Sequence, residues 1–136
     1  MISNFRVLGA GVWGLAFSDY LLKLGHNVEI FCRDTNLSTK NISGLELSRV
    51  SEKNIMSLDT LNAQKSSGEI NIIAVSSKGF SELLNKHESY FSTLNELVSL
   101  TKGLDHLSGK YFSDYVFDMF SNCLLYTSPS PRDLRA

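Results

Sequence analysis

Residues 5–14 read Phe5-Arg6-Val7-Leu8-Gly9-Ala10-Gly11-Val12-Trp13-Gly14, and the fold follows from them. The apolar run over residues 5–8 suits a buried parallel strand whose carboxyl end opens into a glycine turn. From Trp13 the apolar positions Ala16, Phe17, Tyr20, Leu21 and Leu24 recur at steps of three and four, and Gly25 stands where a left-handed cap ends a helix. Gly9, Gly11 and Gly14 therefore fill a G-x-G-x-x-G pattern between a strand and an amphipathic helix, the context that gives the pattern meaning. Gly9 permits the tight turn, Gly11 lets the backbone approach a pyrophosphate, and Gly14 lets the helix pack closely, while free N–H groups at the helix start face the anion. A dinucleotide is the expected ligand; a glycine turn kept only for packing is the competing account.

Working outward, residues 28–32 form a second strand, with Val28 and Ile30 β-branched. Arg33 and Asp34 follow, and Asp34 falls about 20 residues after the glycines, where ribose contacts are made. The pair leaves the cofactor open between NAD and NADP: Asp34 suits a ribose hydroxyl, whereas the Arg33 guanidinium suits a 2′-phosphate and an adenine face. Each also reads as a solvated charge after a strand. Residues 35–67 are polar and only locally periodic, with a possible third strand at 55–58. Residues 70–75 are almost continuously apolar, 77–86 carry Phe80, Leu83 and Leu84 on one helical face, and 97–100 form the next strand. This alternation predicts an α/β fold, a Rossmann-like doubly wound parallel sheet covered on both faces by helices.

Lys102 lies just past the strand at 97–100, and open α/β sheets bind ligands outside the carboxyl ends of their strands. Such a lysine meets a phosphate as a point charge or donates to a carbonyl oxygen on which charge develops; an ordinary exposed lysine explains it as well. Ser76 and Ser77 suit either cofactor contacts or a helix cap. Trp13, a bulky ring inside the glycine turn, is expected to line the cofactor groove. His26, His87 and His106 share no metal-ligand spacing, so no metal site is expected and all three read as surface residues. Cys32 and Cys123 form no CxxC and read as reduced thiols.

Composition narrows the partners. Lys+Arg 13 against Asp+Glu 14 leaves a formal net charge of -1 with no basic block, so the footprint of a general nucleic-acid binder is missing. No apolar run approaches the roughly 18 to 20 residues of a membrane span, and no signal-like leader opens the chain, which reads as cytoplasmic.

Near its end the chain changes character. Its 2 prolines are Pro129 and Pro131, and residues 123–133, CLLYTSPSPRD, read as the translation of a transposase adapter used in sequencing libraries. A flexible Pro/Ser tail is the ordinary alternative. The adapter reading divides the chain into a truncated domain at 1–122 and a non-native tail at 123–136, with the natural protein continuing past Asn122. Setting the tail aside leaves the helix expected at 111–120 without a following strand. The sheet is then incomplete at its C-terminal end, with an unpaired edge prone to aggregation.

The segments VLGAGVWGLAF, LLKLGHNVEIFCRD, INIIAVSSKGF and VSLTKGLD, in that order and spacing, resemble the cofactor domain of bacterial NAD(P)-dependent glycerol-3-phosphate dehydrogenases. The likeness covers about residues 2–120. It implies reduction of dihydroxyacetone phosphate to sn-glycerol 3-phosphate by NADPH or NADH, feeding phospholipid synthesis. It also implies that Val12 and Trp13 touch the nicotinamide cofactor, that Arg33 contacts its adenosine end, and that Lys102 is the catalytic-region lysine shared by cofactor and substrate. The family usually has serine or alanine at the position of Val12, and Val-Pro-Ser where this chain has Val75-Ser76-Ser77. Its Gly-Pro-Ser substrate loop and helical C-terminal domain, with a second catalytic lysine, match nothing here, so the chain alone is not expected to turn over. A homo-oligomer is compatible with the full-length protein. Two alternatives stand beside this: a non-catalytic dinucleotide-binding module, and a related dehydrogenase of hydroxy acids or ketopantoate.

Overall fold

A computed structural model describes residues 1–33, 47–63, 66–101, 109–121 and 123–127. Six strands, β1 (Asn4–Leu8), β2 (Asn27–Cys32), β3 (Ile55–Ser57), β4 (Ile70–Ile73), β5 (Glu96–Ser99) and β6 (Leu124–Thr127), make one sheet in the order β3-β2-β1-β4-β5-β6. All five pairings are parallel. The chain order reverses between β1 and β4, so the sheet is doubly wound and its switch point lies at the carboxyl ends of those two strands.

Side-chain alternation divides the core into two layers. Val7, Ile30 and Ile72 pack on one face with Leu15 and Leu21 of α1 (Val12–Lys23). Leu8, Phe31 and Ile73, each one position on, pack on the other with Phe80, Leu83 and Leu84 of α2 (Ser77–Lys86), Phe91 of α3 (Glu88–Phe91) and Val116 of α4 (Phe112–Met119). The Phe80 and Phe112 rings stack at 4.0 Å between centroids. Strands covered on both faces need apolar residues at nearly every position, and residues 5–8 and 70–73 are apolar except for the buried Arg6 and Asn71.

Most expected elements form within a residue or two of their predicted bounds. Gly25 adopts φ +94°, closing α1 as its sequence position implies. Beyond β3 the chain turns into a 3-10 helix at Leu58–Ala63 rather than extending to residue 58 as strand. The short α3 has no counterpart in the sequence expectations.

Two expectations are corrected. The strand thought absent is present: β6 pairs with β5 along its whole length, from Glu96 with Leu124 to Ser99 with Thr127. Leu-Leu-Tyr-Thr lies in the segment read as a tail, yet it is a serviceable strand sequence, and the edge of β5 offers N–H and C=O groups that such a segment can satisfy. Leu125 packs onto the core, while Leu124 and Tyr126 stay exposed on the new edge. His87 is the second correction, being only 4% exposed. It lies between α2 and α3, where the chain turns back onto the sheet and buries it. His26 is half-buried, its Nδ1 accepting from the Ser3 N–H at 3.1 Å, and His106 lies outside the described residues.

At the opposite end of the sheet from the glycine turn, Arg6 is buried among its partners. Its Nε donates to Glu29 at 3.2 Å, Nη1 to the Tyr90 hydroxyl at 3.2 Å, and Nη2 lies 3.6 Å from Glu69. The Tyr90 hydroxyl donates onward to Asn71 Oδ1. Burial opposes the Arg6 charge, but Tyr90, Glu29 and Glu69 outweigh it and raise its affinity for the proton.

Candidate functional site: a cleft at the switch point

The turn after β1 is built by close approach. Gly9 sits at φ +119°, and a methyl group there would lie 2.6 Å from the Ala74 carbonyl oxygen just past β4. The Gly9 N–H reaches back to the Phe31 carbonyl at 2.8 Å, and the Ala74 N–H to Leu8 at 2.9 Å, tying the turn to both neighbouring strands. Gly14 would place a methyl 2.7 Å from the Gly9 carbonyl, so α1 starts as close to the turn as backbone allows.

Gly11 differs from both. A methyl there would meet nothing nearer than the Ala74 oxygen at 4.0 Å, so the space over it is open. That space belongs to a cleft of about 280 Å³ at the carboxyl ends of β1, β2 and β4, lined by Gly9, Ala10, Gly11, Cys32, Arg33, Leu58, Ala74, Val75, Ser76, Gly79 and Leu83. The first hydrogen bond closing α1 runs from the Leu15 N–H to the Gly11 carbonyl at 3.0 Å, and no side chain caps the helix. The N–H groups of Val12, Trp13 and Gly14 thus have no intrahelical acceptor, and the positive end of the helix dipole lies beside the open space. This combination accommodates a pyrophosphate and would be filled by any side chain at Gly11.

The other sequence candidates are placed unevenly. Arg33 follows β2 and lines the cleft, its guanidinium Nη2 3.0 Å from Glu82 of α2. Val12 and Trp13 are 48% and 79% exposed and do not line the cleft. Ser76 caps α2, its hydroxyl accepting from the Gly79 N–H at 3.2 Å, and it also lines the cleft. Asp34 and Lys102 lie outside the described residues. Thr101, just before Lys102, is nearly buried; its hydroxyl donates to the Val75 carbonyl, and its N–H donates to Ser99 Oγ at 3.0 Å. Thr101 is thereby fastened to Val75 in the cleft wall.

Sequence reading missed Glu82, Leu58 and Ala74. No local pattern brings Glu82 to Arg33 across 49 positions, and the value of Ala74 is its smallness against the Gly9 turn, visible only once β1 and β4 are paired. Cys32 and Cys123 are both buried. Burial pushes the Cys123 thiol up to about 11, with Glu96 adding to it. Among the described residues no group of His, Cys, Asp and Glu side chains could hold a metal ion, and no helix is long and apolar enough to cross a membrane.

A doubly wound parallel sheet with an open glycine cradle at its switch point defines a Rossmann-like NAD-binding domain, for NAD or NADP. Residues 4–125 match the model of the family described as NAD-dependent glycerol-3-phosphate dehydrogenase N-terminus, and the chain belongs to that family. Similar curated proteins include the glycerol-3-phosphate dehydrogenases [NAD(P)+] of Thermoanaerobacter sp. (strain X514), 29% identical over 92% of this chain and 39% of that protein, and of Brachyspira hyodysenteriae, 33% identical over 89% and 38%. The corresponding protein of Carboxydothermus hydrogenoformans is 30% identical over 91% of this chain and 40% of its own length. The chain thus spans about two fifths of the length of these relatives.

Proposed function

We propose that this chain is the cofactor half of an oxidoreductase that reduces dihydroxyacetone phosphate to sn-glycerol 3-phosphate with NADPH or NADH, serving glycerophospholipid synthesis in the cytoplasm. The observation that carries the reading is the open space over Gly11, set against the unpartnered N–H groups of α1. The family match over residues 4–125 supports the choice of substrate.

In this reading Gly9, Gly11 and Gly14 shape the turn, and the N–H groups that begin α1 hold the pyrophosphate. Val12 and Trp13, exposed at the start of α1 outside the cleft lining, touch the bound cofactor, while Arg33 and Asp34 serve the adenosine ribose. The bound cofactor supplies hydride. Lys102 is shared by cofactor and substrate, its ammonium donating to the carbonyl oxygen as negative charge develops there, with a proton source required once the alkoxide forms. The remaining substrate groups belong to the longer protein, in which a helical domain carries a second lysine and a homo-oligomer is allowed.

The test is oxidation of NADPH by the full-length protein in the presence of dihydroxyacetone phosphate. Lys102→Ala should lower turnover about 100-fold or more while changing cofactor affinity only a few-fold. Equal activity of variant and wild type would remove Lys102 from the reaction, and failure of dihydroxyacetone phosphate alongside success of a hydroxy acid's keto form would change the substrate. The proposal also takes residues 123–136 as a non-native tail. Sequencing the source DNA across the Asn122 codon without a transposase library should then reveal other codons; the same codons followed by a stop would favour a non-catalytic binding module.

A further inference from the structure

We propose that Glu82 sets which dinucleotide the cleft prefers, by occupying the guanidinium that a 2′-phosphate would need. This rests on the cleft being a NAD(P) site. Arg33 lines the cleft together with Gly9 and Gly11, and its Nη2 lies 3.0 Å from Glu82 Oε1. A guanidinium recognises carboxylate and phosphate through the same planar fork, so the carboxylate stands where a phosphate oxygen would.

The contact is made to be broken. The two side chains are 69% and 60% exposed, so the pair adds little to folding and can part without disturbing α2. Glu82 does not line the cleft. It lines an adjoining cavity of about 240 Å³ that also takes in Arg33, Asp59, Lys86 and His87. Lys86 stands four residues on along α2, one helical turn from Glu82, and gives the displaced carboxylate a second cation.

The two cofactors meet this arrangement differently. One carrying a 2′-phosphate must part Arg33 from Glu82 and then sit near a carboxylate of like charge. One with a free 2′-hydroxyl needs neither, and the paired guanidinium remains available to lie against adenine. Glu82 is therefore a specificity-determining residue that weakens NADP relative to NAD, although it touches neither the pyrophosphate cradle nor the reacting atoms.

Fluorescence titration of the chain with NADPH and with NADH, wild type against Glu82→Gln, tests this without any turnover. NADPH affinity should rise about 3- to 10-fold, the range of an exposed ion pair plus a relieved repulsion, and NADH affinity should change less than about 2-fold. In an Arg33→Met background only the relieved repulsion remains, so the Glu82→Gln gain for NADPH should shrink to less than about 2-fold and NADH affinity should not change. A parallel change for both nucleotides, a loss of NADPH affinity, or the same gain without Arg33 would overturn the proposal. If the wild-type chain binds neither nucleotide, the cofactor reading falls and takes the proposal with it; if both bind and Glu82→Gln leaves their ratio unchanged, only the role of Glu82 falls.

Discussion

At Gly9 and Gly14 the backbone stands where a side chain would otherwise be, and the cost of adding one is set by what lies opposite. A methyl at Gly9 meets a carbonyl oxygen at 2.6 Å on a left-handed backbone, so Gly9→Ala should cost about 2–4 kcal/mol in a denaturant melt. Gly11→Ala, with open space around it and an ordinary φ of -76°, should stay within about 0.5 kcal/mol. A melt in which the two behave alike would contradict the division of labour among the glycines. Tyr90→Phe takes the hydroxyl that accepts from Arg6 and donates to Asn71 out of a buried network, and should cost about 1–3 kcal/mol. The motif spacing alone makes the steric tasks of Gly9 and Gly14 legible, because steric need at a tight turn is local. The Arg6 network could not be foreseen: its members come from four separated stretches of chain, and an arginine inside an apolar strand gives no hint of which carboxylates will surround it.

Among the elements, β6 is the one whose behaviour separates structure from origin. Whatever encodes Leu124–Thr127, the segment completes the pairing of β5, and Cys123 just before it is packed into the core at 2% exposed. Burial lifts that thiol to about 11, so at pH 8 Cys123 should react with a disulfide reagent many times more slowly than a free cysteine. A chain cut after residue 122 should bare the edge of β5 and associate in a concentration-dependent way, read by light scattering. Rapid labelling of Cys123 in the intact chain would mean that β6 does not stay seated. Every other strand is legible as a largely apolar stretch of four to six residues, whereas β6 lies in the segment read as a tail and is fixed by its pairing with β5. The short α3 is not legible for a different reason: a four-residue helix is too short for periodicity to register.

For the molecule as a whole, acid should loosen the fold before any carboxylate is protonated. Burial, and then the charge of Lys86, lower the proton affinity of His87 below its usual 6.5, with Asp59 opposing them weakly. The unfolded chain therefore binds the proton more readily, so stability contributed by neutral His87 is complete above about pH 6.5 and is lost as the pH falls below it. Melting temperature should drop between pH 7.5 and 5.5, and His87→Phe should flatten that slope; an unchanged slope would place the titrating group elsewhere. The doubly wound sheet was legible in the sequence because hydrophobic period and turn chemistry are written locally. The cleft is legible only in part, since Ala74 and Leu58 join it through strand order and helix placement, and the same placement brings Glu82 to Arg33 at its margin. The central claim is that the open space over Gly11 holds a dinucleotide. The most direct measurement is titration of the chain with NADPH, wild type against Gly11→Val, each with its melting curve. The account predicts saturable binding by the wild type and none by the variant, with melting temperatures within a few degrees of each other, about what a substitution beside open space should cost. Equal binding by the two, or no binding by the wild type, would contradict it.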